Sequence, residues 1–210
     1  MTRSLDRVLL VDLAGVAAVW HPERRTDALA ELADLPYDTV EARVFDSGFD
    51  EACDHGRYDL AETVHQLGEM LGLGDRPRLH ADLRAAWARC VSPDPEVLAV
   101  VAEADAPTSL FTNNGALLED AVSHDHPDIA ATFDRLLFSW RLGAAKPDPA
   151  AYAAVTDALG IAPRSVFFAD DSEPNVDGAR AAGWTAHHFT TVDALRLDLA
   201  ESGYLEEPHP

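Results

Sequence analysis

Lysine is almost absent from this chain of 210 residues: of 16 basic residues 15 are arginine, and the one lysine is Lys146. Basic residues of either kind are few beside 37 acidic ones. The formal net charge of -21 excludes nucleic acid and an anionic membrane as main partners, because affinity for phosphate backbones comes from clustered Lys and Arg. Apolar runs stay far below the roughly 18 residues that a membrane span needs. No basic segment followed by a signal-type apolar stretch stands near residue 1. Two cysteines, Cys53 and Cys90, are too few for a disulfide scaffold and suit a reducing compartment, and neither has a CxxC partner that would suggest metal binding. The expectation is a cytosolic protein, monomer or homodimer, whose partner is a small molecule. Internal repeats are absent, and the short tail from Glu206 to Pro210 is the nearest thing to low complexity.

What is present is one good core, or one core with a small module: 47% of the residues are hydrophobic. Val8-Leu9-Leu10-Val11 is continuously apolar and ends in Asp12, the pattern of a parallel strand buried on both faces. Similar runs follow at Ser109 to Phe111, Leu136 to Phe138, Val166 to Phe168 and, more weakly, Trp184 to His188. Helical patterns separate them. Val97, Leu98, Val101 and Ala102 share a face closed by Pro107, and Asp148-Pro149 starts a helix carrying Tyr152, Val155 and Leu159 that Gly160 ends. Pro174 to Gly183 gives a further helix, and Thr191 caps a last one with Val192, Leu195 and Leu199 that ends near Gly203. Alternation of this kind means an α/β fold, a Rossmann-like doubly wound parallel sheet with its ligand at the carboxyl ends of the strands. The stretch from Trp20 to Cys90 shows helical spacing at Leu60, Val64, Leu67 and Leu71 and at Leu79, Leu83 and Trp87, with no convincing strand. The division expected is therefore a catalytic core of residues 1–17 and 91–210 with a small all-helical cap, 18–90, inserted after the first strand.

Asp12, Thr112-Asn113, Lys146 and Asp170-Asp171 all follow predicted strands or lie in loops at one edge of that sheet. Taken singly, each reads as readily as a turn or a cap. Together they supply a nucleophilic carboxylate, a hydroxyl and amides for an anion, one fixed cation, and a carboxylate pair suited to a hard metal such as Mg2+. Those are the parts phosphoryl transfer needs. Lysine kept at a single place hints that the wide guanidinium fork does not fit there.

The segments Val8 to Val16, Leu110-Phe111-Thr112-Asn113, Lys146-Pro147-Asp148-Pro149 with Tyr152, and Phe167 to Ser172 with Asn175 to Ala179 resemble the four ordered motifs of the haloacid dehalogenase-like hydrolases. The likeness spans nearly the whole chain. Within the family, the Gly48 to Leu60 region and Asp170-Asp171-Ser172 look most like sugar-phosphate phosphatases related to the phosphatase domain of soluble epoxide hydrolase. The resemblance implies that Asp12 attacks phosphorus to give an aspartyl-phosphate that water hydrolyses. It implies too that Thr112, the backbone near Asn113 and Lys146 hold the phosphoryl oxygens. Mg2+ would be bound by Asp12, the backbone carbonyl of Ala14 and Asp171, with Asp170 acting through a water.

Ala14 departs from the pattern, since most phosphatases of the family carry there a second Asp that protonates the leaving oxygen. A positioned acid or base is worth about 10²–10⁴-fold in rate. Three readings accommodate the change. The leaving group needs little protonation, as with a sugar 1-phosphate. Or it is a halide, in a metal-independent 2-haloacid dehalogenase, which leaves Asp170-Asp171 unexplained. Or the protein is a non-catalytic relative that binds a phosphorylated ligand or a partner. His21, Arg43, Phe45, Asp46 and Phe49 are candidates for substrate contact from the cap, with packing as the plainer role. Arg141, between the third strand and Lys146, is a candidate for added positive potential, with a surface side chain as the plainer role, and His124 and His126 flank Asp125 at a spacing that suits solvated side chains more often than a metal.

Overall fold

A computed structural model describes residues 6–205 of the chain, so the tail 206–210 lies outside the described residues. In chain order the elements are β1 (Val8–Val11), β2 (Ala18–Trp20), α1 (Pro22–Ala33), α2 (Tyr37–Val40) running into a π-helical turn (Glu41–Phe45), α3 (Phe49–Asp54), α4 (Leu60–Leu71) and α5 (Leu79–Ala88). There follow β3 (Val91–Pro93), α6 (Pro95–Ala102), β4 (Thr108–Thr112), α7 (Ala116–Asp125), α8 (Pro127–Thr132), β5 (Arg135–Phe138), α9 (Ser139–Leu142) and α10 (Pro149–Leu159). Last come β6 (Val166–Asp170), α11 (Glu173–Ala181), β7 (Thr185–His188) and α12 (Val192–Glu201).

Five strands form one parallel sheet in the order β5-β4-β1-β6-β7. The three central strands are buried along their whole length, as continuous apolar runs require, while β5 and β7 at the edges expose Arg135, Thr185 and His188. Alternate side chains of β1 enter opposite cores. Leu9 and Val11 join the larger cluster with Leu110, Phe167, Val101 and Leu195, whereas Val8 and Leu10 pack with Phe111, Tyr152, Val155, Phe168 and Trp184. The chain leaves β1 for β4 on one side and later returns to β6 on the other, which opens a crevice at the carboxyl end of β1.

Expected caps carry the helix starts. The Asp94 carboxylate accepts from the N–H groups of Glu96 and Val97, Asp148 from Ala150, and Thr191 from Ala194, and Gly160 ends α10 in the left-handed region.

The stretch 18–90 is helical except at its very start, where β2 pairs antiparallel with β3. Three-residue strands carry too little alternation to be seen in a sequence. The ribbon has an architectural consequence: with His21 N–H on the Cys90 carbonyl and Asp94 N–H on the Ala17 carbonyl, α1 to α5 leave and rejoin the sheet at one place. The insertion then leans on the sheet's own layer through α5 against α7, where His80 meets Asp120 at 2.7 Å and Arg84 meets Asp125 at 2.9 Å. No helix among the described residues is long and apolar enough to cross a membrane.

Candidate active site

Asp12 leaves the end of β1 with its N–H on the Ala169 carbonyl, so its side chain starts between the ends of β4 and β6. Thr112 is the last residue of β4 and Asp170 the last of β6. Lys146 arrives from the segment between α9 and α10. Its backbone is held from both sides by the Asn113 amide, which accepts from Lys146 N–H at 2.8 Å and donates to its carbonyl at 2.7 Å, next to a cis Lys146-Pro147 bond.

The ammonium is buried at the centre of the site. Lys146 Nζ donates to Asp170 Oδ2 at 2.6 Å and to the Phe111 carbonyl at 3.0 Å, and lies 2.9 Å from Asp12 Oδ1. The Phe111 and Phe168 rings flank it at 5.0 and 5.1 Å. Asp170 is fully buried and saturated: its Oδ1 also accepts from Ser172 N–H and Asn175 Nδ2. Burial pushes the Asp12 carboxyl up to about 6; Lys146 pulls the other way, and the charge on Asp170 pushes up again. Asp171, exposed just beyond β6, is also raised, by partial desolvation and by Asp170.

Oxygens of Asp12, Asp170 and Asp171 lie within 4.8 Å of one another. Asp12 and Asp171 present hard carboxylate oxygens, with Asp170 behind them and one ammonium, at Lys146, to offset three negative charges. That donor set fits a divalent cation such as Mg2+. Gly15 makes room beside them. At φ +82° it holds a conformation that costs an L residue about 1–2 kcal/mol, and a Cβ there would sit 2.1 Å from Asp171 Oδ2. We expect Gly15→Ala to weaken Mg2+ binding at least tenfold with little change in the helical signal; calorimetric titration of wild type and variant with MgCl2 checks this, and equal affinities would contradict it.

Thr112 Oγ1 accepts from Asn114 Nδ2 at 2.8 Å, which leaves its own hydroxyl proton to donate. The sequence therefore named residues that do assemble: Asp12, Thr112, Lys146, Asp170 and Asp171 meet at the strand ends, while the Asn113 side chain is engaged with the Lys146 backbone. Other candidates fall elsewhere. Arg141 pairs with Glu119 at 2.8 Å over the Trp140 ring and adds no charge at Lys146. Arg43 donates to the Met70 carbonyl, Phe45 stacks under Arg25, Phe49 packs on Tyr58, Asp46 closes the π-helical turn, and His21 lies 3.4 Å from Glu23. His124 and His126 diverge, to Asp120 and to the Ala88 carbonyl. Sequence reasoning gave no role to Asn175, whose signal is its place one helical turn past Asp170, nor to Arg25 and Asp54 of the insertion, whose partners lie too far away in the chain to be read from it.

The family model described as haloacid dehalogenase-like hydrolase matches residues 7–183. The chain is 29% identical over 216 residues to "Phosphatase MT3486" of Mycobacterium tuberculosis, covering 93% of this chain and 94% of that one. Its fold is similar to a HAD family enzyme, BT-2542, of Bacteroides thetaiotaomicron in complex with magnesium and inorganic phosphate, with a TM-score of 0.70 at 22% identity over 88% of this chain and 94% of that one. It is similar too to L-2-haloacid dehalogenase of Xanthobacter autotrophicus with chloropropionic acid covalently bound, with a TM-score of 0.59 at 20% identity over 94% and 84%.

Proposed function

The chain belongs to the haloacid dehalogenase-like hydrolases, and from that premise we propose that it is a Mg2+-dependent phosphatase of a small phosphorylated metabolite, working through an aspartyl-phosphate on Asp12. The observation that carries this is the Asp12, Asp170 and Asp171 cluster at the strand ends, with Lys146 alongside. Asp12 and Asp171, with the Ala14 carbonyl, would hold the ion, and Asp170, already bonded to Lys146 and Asn175, would act from behind through a water. The charge neutralisation that a phosphate dianion needs beside three carboxylates is what a bound Mg2+ supplies.

The residues of the chain do the rest. Asp12 attacks phosphorus, and its leaving as a carboxylate in the second step is eased by its place beside an ammonium. Lys146 offsets the repulsion between Asp12 and the incoming anion, and Asn113 keeps that ammonium in place by holding its backbone. Thr112 Oγ and the N–H groups after it donate to phosphoryl oxygens. We read α1 to α5 as a cap over the strand ends, dividing the chain into a core of residues 1–17 and 91–210 and a cap of 18–90. The buried, unpaired thiols of Cys53 and Cys90 support a cytosolic setting.

Ala14 favours substrates whose leaving oxygen needs little protonation, a sugar 1-phosphate among them. Ala14 alone would equally suit a halide, but a metal-free site would set a 2-haloacid carboxylate against Asp12, Asp170 and Asp171 with one ammonium between them. The test is phosphate release from a set of phosphorylated metabolites, sugar 1-phosphates and 6-phosphates included, with Mg2+ and with EDTA. Activity is expected to vanish with EDTA and to return with Mg2+. Metal-independent chloride release from 2-chloropropionate would overturn the proposal, and a preference for 6-phosphates would mean that a proton donor stands elsewhere in the site.

A further inference from the structure

An alkyl phosphate expels a strongly basic alkoxide unless a proton reaches its oxygen, and the carboxyls at the strand ends are already committed. Asp170 is saturated by Lys146, Asn175 and Ser172, and in the reading above Asp12 is the nucleophile and Asp171 would hold the metal. One carboxyl from the insertion comes to the loop that follows Thr112 at the end of β4. The end of α3 is pressed onto the loop that follows Thr112: the Ser139 hydroxyl donates to the Asp54 carbonyl at 2.6 Å, and a Cβ on Gly115 would lie 2.9 Å from Cys53 Cβ. The Asp54 carboxyl thereby meets the Gly115 N–H, three residues beyond Thr112, on a side chain that is neither sealed nor fully exposed.

Resting on the phosphatase reading, we propose that Asp54 is the proton donor and acceptor that position 14 lacks. As Asp12 Oδ bonds to phosphorus and the phosphorus–oxygen bond to the leaving group breaks, the Asp54 proton passes to the departing oxygen, giving a neutral alcohol, an aspartyl-phosphate and an Asp54 carboxylate. That carboxylate then takes a proton from water as the water oxygen attacks phosphorus. Inorganic phosphate leaves, Asp12 returns as carboxylate and Asp54 is again protonated.

The surroundings suit a group that must carry a proton near neutral pH. Around Asp54 stand Asp50 and Glu51 on its own helix, Arg25 on α1, the Gly115 N–H on α7 and the uncharged Ser139 on α9. Arg25, the one cation among these, pairs with Asp50 at 3.1 Å. Desolvation and the Asp50 charge push the Asp54 carboxyl up to about 8, with Arg25 and the Gly115 N–H pulling the other way. With a donor at this place, esters of ordinary alcohols, sugar 6-phosphates included, become substrates despite Ala14.

The experiment compares kcat/KM for glycerol 2-phosphate, whose alkoxide needs a proton, with that for 4-nitrophenyl phosphate, whose phenolate does not, in saturating Mg2+. This constant reports events only as far as departure of the leaving group. Asp54→Asn should lose about 10²–10⁴-fold on glycerol 2-phosphate and less than tenfold on the nitrophenyl ester. The wild-type fall in rate on glycerol 2-phosphate above about pH 8 should disappear with it. Adding Ala14→Asp to Asp54→Asn should restore at least tenfold on glycerol 2-phosphate and less than that on the nitrophenyl ester, so that the loss and its rescue both track the leaving group's need for a proton. Equal losses on both esters, no loss on either, or a wild type active on the nitrophenyl ester alone would overturn the inference while leaving the phosphatase reading intact. A wild type that releases phosphate from neither would overturn both.

Discussion

Asp12→Asn is expected to leave a folded protein whose phosphate release falls by a factor on the order of 10⁴ or more, because the amide offers no charged oxygen to attack phosphorus and the covalent route closes. The variant should be no less stable than the wild type at pH 7 in EDTA. With its carboxyl at about 6 in the fold against an ordinary 3.8, Asp12 is raised. Its stabilising contribution is therefore complete below about pH 4 and is lost as the pH climbs through 6. Above that the ionised, desolvated carboxylate works against folding, and a neutral amide of the same shape is spared the penalty. Thermal melting of both proteins at pH 4 and pH 7, beside a phosphate-release assay in Mg2+, checks the two halves together. Activity within tenfold of wild type would sink the nucleophile assignment, and a midpoint that drops at pH 7 would sink the electrostatic account.

Lys146→Met should be costly in both respects. Removing the ammonium leaves Asp12 and Asp170 as buried like charges, and breaking a buried ion pair from one side typically costs about 3–5 kcal/mol. The methionine stem replaces the packing between Phe111 and Phe168 but not the charge or the bond to the Phe111 carbonyl. Urea unfolding is expected to show the full cost at pH 7 and a smaller one at pH 5, where Asp12, raised already in the wild type, takes up a proton. Lys146→Arg should fail as well. Three oxygens at 2.6, 2.9 and 3.0 Å surround one nitrogen between two rings, a nest for a compact ammonium in which a planar guanidinium fork has no room. Wild-type rates in the arginine variant, or unchanged stability of the methionine variant at pH 7, would refute this.

The central sheet was legible because burial on both faces writes itself as unbroken apolar runs: Val8 to Val11 and Val166 to Phe168 are read directly. Asp170 was less clear, since the sequence reads it with Asp171 as loop, whereas it ends β6 and is fully buried. A carboxylate can close a buried strand only where a cation awaits it, and Lys146 is 24 positions away. The short ribbon of β2 and β3 escaped for want of length. Arg25 escaped for another reason: its burial among Trp20, Phe45 and Trp87 with Asp50 is a tertiary arrangement that no local pattern announces. Arg141 takes the plainer of its two readings, a surface side chain, because nearness to Lys146 in sequence is not nearness in space once a helix turns it to Glu119.

The buried ammonium also makes this chain unusual as an object of protein chemistry. Its side chains offer one primary amine, and that amine sits behind two carboxylates with almost no surface of its own. An acylating reagent at mildly alkaline pH therefore reaches Lys146 only as the strand ends open. The acyl group on Lys146, followed by mass spectrometry of the peptide that holds it, becomes a clock for that opening, with a ligand's protection read as a slower tick.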